Sequence, residues 1–162
     1  MRRLLFGTLL FTMLVPAMVI AVVPSFIIGI GRLVPPVPLT GLQYLGGGMF
    51  VVGVGVYLHC ATEFLLAGRG TPAPYAPPRE LVIHGLYRYV RNPMYVGGLT
   101  ALAGEALVYQ AVRIVAYELV VFGMWHWFVV THEEPALRRL FGEAYVRYCA
   151  TVPRWVPRLS GR

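Results

Sequence analysis

Residues 94–131 read MYVGGLTALAGEALVYQAVRIVAYELVVFGMWHWFVVT, and the division of this stretch decides the fold. Two apolar runs, 94–112 and 114–131, meet at one basic residue, Arg113. Each is close to the roughly 20 residues that a helix needs to cross the hydrocarbon layer. With almost no chain between them, the two helices must pack as a tight antiparallel hairpin. Upstream, residues 4–30 and 42–67 form two further runs of spanning length. The first follows Met1-Arg2-Arg3 and contains Pro16 and Pro24. It is too long for a secretory signal, so a retained first helix is expected.

Composition agrees with this reading. The chain has 162 residues, 57% hydrophobic and 13% charged, against roughly 25% charged in an ordinary soluble domain. The four runs cover more than half of it, which leaves no room for a separate soluble unit. The expected organisation is one membrane-embedded domain, 1–162: helices 1 and 2 in 1–68, a loop in 69–93, the hairpin in 94–131 and a terminal segment in 132–162. Gly46, Gly47, Gly48, Gly53 and Gly55 in the second run are expected to let helix backbones approach closely.

All 14 basic residues are Arg and all seven acidic residues are Glu, for a net charge of +7. Twelve of the Arg fall before helix 1, between helices 2 and 3, or after helix 4; only Arg32 and Arg113 fall on the other side. That asymmetry puts both termini and the middle loop in the cytoplasm, as in a multi-pass protein of the inner cell membrane. Charges scattered between apolar runs offer no wetted basic face, so nucleic acid is excluded as a partner. Cys60 and Cys149 are too few for a disulfide framework and lack metal-ligand spacing, so no metal is expected. The absence of any internal repeat argues against an inverted-repeat transporter. The sequence sets no oligomeric state.

After helix 4, Pro135 can end one helix and open another. Leu137, Leu140, Phe141, Ala144, Tyr145 and Tyr148 then recur at helical spacing, with Arg138, Arg139, Glu143 and Arg147 on the opposite side. This predicts an amphipathic helix lying along the cytoplasmic interface. The fold class is therefore all-α, with four transmembrane helices, one interfacial helix and both termini inside.

Two segments carry more ordered polar chemistry than topology requires: His84-Gly85-Leu86-Tyr87-Arg88-Tyr89-Val90-Arg91-Asn92-Pro93-Met94-Tyr95-Val96-Gly97, and His132-Glu133-Glu134. They sit at the two ends of the hairpin, so antiparallel packing brings Arg91 to the depth of Glu133 and Glu134. Arg opposite Glu can make a simple salt bridge, or can clamp a zwitterion by its carboxylate and its ammonium. Elsewhere, Glu105 and Glu118 are expected to pair with Arg113 across the hairpin, and His126 to pack within the bundle. His59 and Glu63, at i,i+4, share one face of helix 2.

In these residues the sequence resembles a known family. Arg91-Asn92-Pro93-Met94-Tyr95-Val96-Gly97, a hydrophobic hairpin and Glu133-Glu134 are similar to the signature of isoprenylcysteine carboxyl methyltransferases and the related phospholipid N-methyltransferases. The segments 141–148 and 152–158 are similar to the C-terminal segment of their bacterial members. Two positions depart from the pattern: Asn92 stands where eukaryotic carboxyl methyltransferases usually have His, and Leu86 where Pro is common. Asn cannot titrate near neutrality, so a proton-transfer role there is not expected.

The resemblance implies S-adenosylmethionine bound at the cytoplasmic face by His84, Gly85, Tyr87, Arg91, Asn92, Pro93, Tyr95, Glu133 and Glu134. It also implies methyl transfer to a lipophilic acceptor, an isoprenoid carboxylate or a phospholipid-like molecule. Arg91, Glu134 and Arg154 are the expected catalytic residues, and His59, Glu63, Tyr148 and Arg154 the acceptor-binding ones. Two alternatives are a small four-helix membrane transporter, which leaves the Arg/Glu constellation without a use, and a sterol-reductase-like membrane enzyme, normally a much longer chain.

Overall fold

A computed structural model describes residues 14–29, 39–66 and 81–158. Residues 4–13 of the first expected span, the Arg at 2, 3, 32, 69, 79 and 162, and residues 69–80 of the 69–93 loop lie outside the described residues. The described chain is helical: α1 Leu14–Ile28, α2 Gly41–Leu66, a 3-10 turn Gly85–Arg88, α3 Pro93–Tyr109, α4 Val112–Phe128, α5 Glu134–Phe141 and α6 Glu143–Thr151.

Two helices are long and apolar enough to cross a membrane, Gly41–Glu63 and the continuous rod Val112–Phe141. The α3 helix has 17 residues. Large apolar side chains point outward along both long helices, among them Leu45, Val51 and Val52 on α2 and Leu119, Val120 and Met124 on α4. Such a surface suits hydrocarbon rather than water.

Proline shapes α1 and the end of α4 in the same way. A π turn, Met18–Val22, precedes Pro24, and another, Val129–Glu133, precedes Pro135. Proline offers no N–H to the carbonyl four residues back and crowds it, and a wider turn absorbs the mismatch without breaking the rod. Pro135 was expected to end one helix and open another; the rod is instead continuous, α4 running through the π turn into α5, whose first turn contains that proline.

The expected interfacial helix is two helices. Gly142 has φ +51 and ψ −129, a conformation that L side chains rarely adopt, and it separates α5 from α6. The break swings Tyr145 into the interior at 3% exposure, while Leu140, expected on the same buried stripe, is 52% exposed.

The hairpin closes two residues earlier than expected. Gln110 takes the left-handed conformation, φ 49 and ψ 40, and ends α3, so Arg113 lies in the first turn of α4. Gln43 ties this end to α2: its side chain accepts from the Thr40 N–H at 2.9 Å, a capping-box contact, and donates to Val108 O at 2.9 Å. That second bond satisfies a carbonyl left over in the last turn of α3.

The α2 and α3 helices approach to backbone contact through glycines of both. A Cβ on Gly53 would lie 2.5 Å from Gly97 O, and one on Gly104 would lie 2.5 Å from Phe50 N. Gly46 packs against Gly104 likewise, but Gly47, Gly48 and Gly55 have nothing within 4 Å of such an atom. Two of the five helix-2 glycines therefore do the packing expected of all five, and α3 supplies the partners. Gly53→Leu is expected to force the helices apart and destabilise the fold by at least 1–3 kcal/mol. Gly48→Leu should change stability by less than about 0.5 kcal/mol. Melting temperatures of the two variants in detergent check the contrast.

Candidate functional site

The α3 helix begins with proline at N1, preceded by Asn92 in a non-helical conformation, φ −122 and ψ 55. This is the position before proline, where helical geometry is disfavoured. The chain before it is held by the tail after α6. Arg91 N–H donates to Pro153 O at 2.9 Å, Arg158 N–H donates to Tyr89 O at 3.0 Å, and Asn92 Nδ2 donates to Arg154 O at 3.1 Å. These three bonds strap residues 153–158 along residues 89–92.

The strap brings a second guanidinium to the hairpin. Glu134, at the start of α5 and 9% exposed, accepts from Arg91 Nη1 at 2.9 Å through Oε1. Arg154 grips the same carboxylate with both teeth of its fork, Nε to Oε1 at 2.6 Å and Nη2 to Oε2 at 2.9 Å. Charge-assisted bonds of this bidentate kind are strong and orienting. The Glu134 bond holds the Arg154 pKa above its ordinary value. Two guanidiniums on one carboxylate leave the cluster with a net charge of +1, and Arg91 Nε is buried without a partner. Arg91 Nη1 also lies 2.9 Å from Cys149 Sγ on α6.

Glu133 is engaged more lightly. Its Oε2 accepts from the OH of Tyr95, in the first turn of α3, at 3.1 Å. Tyr148 on α6 donates to Tyr87 O at 2.7 Å, which fixes the 3-10 turn. Burial raises the pKa of Tyr148, and burial with the neighbouring Cys149 raises that of Tyr145, so both phenols stay protonated across the neutral range. Tyr87 is raised well above its ordinary value by burial.

An aromatic wall flanks the cluster. The Trp155 ring stands 5.2 Å from Phe122 and 6.3 Å from Tyr95, and its Nε1 donates to His126 Nδ1 at 3.0 Å. Tyr95 in turn lies 5.1 Å from Trp125. His126 thus packs in the bundle as expected, with Trp155 as its partner.

Of the residues singled out in the sequence, the structure brings Arg91, Asn92, Tyr95, Glu133, Glu134, Tyr148 and Arg154 into one cluster, with Tyr87 and Pro93 at its edge. Glu63 reaches the 3-10 turn: a Cβ on Gly85, which has φ +57, would lie 2.5 Å from Glu63 Oε1. Glu63 Oε2 is buried without a partner, and His59 lies 3.6 Å from Oε1 with its side chain 54% exposed. His84 is exposed. His132 is exposed too and stacks on Phe128 rather than facing the cluster.

The bridge expected from Arg113 to Glu105 and Glu118 is not formed. Arg113 is exposed and neither carboxylate pairs with it, because the early turn at Gln110 carries Arg113 into the first turn of α4. Cys149 and Trp155 were missed. Cys149 stands four residues after Tyr145, on the same face of α6, and that spacing was its one available signal.

Asn92 holds the strap through its amide N–H. Asn92→Asp replaces that donor with acceptors facing Arg154 O, and is expected to lower stability by about 1–3 kcal/mol, the cost of one unsatisfied buried polar contact. Melting temperatures of the variant and the parent protein check this.

A family model described as phospholipid methyltransferase matches residues 42–144. Curated relatives include protein-S-isoprenylcysteine O-methyltransferase A of Arabidopsis thaliana, 32% identical over 117 residues, which are 68% of this chain and 57% of the relative. Its B counterpart from the same plant is 31% identical over the same coverage. The protein-S-isoprenylcysteine O-methyltransferase of Schizosaccharomyces pombe is 38% identical over 80 residues, 48% of this chain and 33% of the relative. The chain thus spans a little over half the length of the two plant relatives. No solved structure matches it.

Proposed function

This chain belongs to the phospholipid methyltransferase family, and on that premise we propose that it transfers a methyl group from S-adenosylmethionine to a lipophilic acceptor at the cytoplasmic face of the inner membrane. The observation that carries the proposal is the Glu134 hub: one buried carboxylate held by guanidiniums from the start of α3 and from the tail.

The residues present suit the donor's zwitterion. The net positive hub, with Arg91 Nε buried and unpartnered, fits a carboxylate. Glu133, bonded only to the Tyr95 hydroxyl among the described residues, fits an ammonium. Tyr87 and Tyr95 offer aromatic edges and faces suited to a cation or an adenine. His84, Gly85, Asn92 and Pro93 shape the turn that leads into α3, whose first N–H groups favour negative charge. When bound, the donor supplies an electrophilic methyl group on a sulfonium.

The protein's own contribution is position and dryness. Arg91 and Arg154 can orient a carboxylate acceptor, which is already ionised at neutral pH and needs no base; the Trp155 wall keeps water from the membrane side. An amine acceptor must lose a proton, and Glu63, with Oε2 buried and unpartnered, is the base available for it. Tyr148 and His59 complete the proposed acceptor side.

The membrane arrangement belongs to the same proposal. The α1 and α3 helices complete four spans beside α2 and the long rod. The rod's 30 residues extend about 45 Å at helical rise, beyond the roughly 30 Å hydrocarbon layer. Its Glu133–Glu134 end therefore has length to emerge at a surface, and the Arg asymmetry favours the cytoplasmic one.

Incubation of the purified protein with methyl-labelled donor and a total lipid extract tests this reading. Label in one lipophilic product, identified by mass, is the expected result; no labelled lipid beside a protein shown to be folded contradicts it.

A further inference from the structure

Beyond the Trp155 wall, a cleft of about 230 Å³ opens between α2, α3 and α4. Met49, Val96, Phe122 and Trp155 give it apolar walls, and Thr100 and Glu118 are its polar ones. The Glu118 carboxylate makes no hydrogen bond or ion pair within the protein among the described residues. A carboxylate in a lipid-facing cleft is costly unless something pairs with it. Thr100 Oγ1 donates its proton to Val96 O at 2.8 Å, which leaves it acceptor capacity only. With Glu118 ionised, both polar groups of the cleft accept, and the group that complements them is a donor.

We propose that the cleft holds the chain of the lipid acceptor, and that Glu118 with Thr100 selects chains carrying a hydrogen-bond donor, a hydroxyl or an ammonium, far from the reacting end. The inference rests on the methyltransferase reading for what reacts, but not for what binds in the cleft. Glu118 stands sixteen residues from Glu134 along one rod, about 24 Å at helical rise. Antiparallel packing puts Val96 and Trp155 at the near end of the cleft and Glu118 at the far end. A chain threaded past Trp155 meets the carboxylate at the far end of the cleft.

The test is a tryptophan-quenching titration of the purified protein with dibrominated long-chain probes: an alcohol, an amine and a methyl ester lacking a donor. The alcohol and the amine should bind about tenfold more tightly than the ester, the ratio set by one hydrogen bond to a charged group. Glu118→Leu should bring all three to parity. Glu118→Gln should keep the alcohol preference and lose the amine preference. Binding of S-adenosylhomocysteine, followed by calorimetry, should be unchanged in both variants. Equal affinity for all three probes in the parent protein, or a preference that survives Glu118→Leu, overturns the proposal. Donor preference in a parent protein that binds no S-adenosylhomocysteine supports the cleft and removes the methyltransferase reading instead.

Discussion

Glu134→Ala is expected to reduce methyl transfer by about a thousandfold, because removing one partner of a buried ion cluster costs roughly 3–5 kcal/mol. The loss follows from what the carboxylate holds. Glu134 accepts three bonds from two guanidiniums that reach it from opposite ends of the site, one before α3 and one in the tail. Without it, Arg91 and Arg154 are two like charges in one partly buried space, and each is driven toward solvent. The proposed cofactor seat and the proposed acceptor clamp are then lost together. Glu134→Gln keeps the shape and one acceptor oxygen but not the charge, so its rate should fall between those of the parent and the alanine variant. Glu133→Gln, which can still accept from Tyr95, should lose less. Transfer of label into extracted lipid, measured for the three variants, orders these effects.

Ending the chain after Val152 should abolish transfer altogether while leaving the helices folded. The tail contributes Arg154 to the hub, the carbonyls of Pro153 and Arg154 to Arg91 and Asn92, and the Trp155 indole to His126. Its removal leaves Glu134 with one bond in place of three and opens the cluster on the side of the missing wall. Far-ultraviolet circular dichroism should stay close to that of the full chain, because no helix is cut. A truncated protein that retains even a tenth of the parent rate contradicts the role given to the strap.

The hairpin and its consequence were legible in the sequence. Two apolar runs joined by almost nothing must lie antiparallel, and that alone puts Arg91 beside Glu134. The third member of the hub, Arg154, was legible as a candidate but not as a partner, since its reach depends on backbone bonds between segments about sixty residues apart. Local signals also misled where tertiary context overrides them. Pro135 reads as a helix end, yet a π turn carries the rod through it. Gln110 gives no sign that it will take a left-handed conformation, and with that turn misplaced the Arg113 bridge was misplaced too. Gly47, Gly48 and Gly55 look identical to Gly46 and Gly53 until α3 shows which side is covered. Cys149 and Trp155 were not legible as members of the site, although Trp155 lies in the family-similar segment 152–158, because their positions follow from the break at Gly142 and from the strap.

The most direct measurement is a calorimetric titration of S-adenosylhomocysteine into the purified protein, the Glu134→Ala variant and the Arg91→Ala variant, each with its helix content verified. Saturable binding by the parent protein and its loss in both folded variants is the predicted result. Parent-like affinity in both, or no heat from the parent protein at millimolar ligand, would contradict the claim that the hub is the floor of a cofactor pocket.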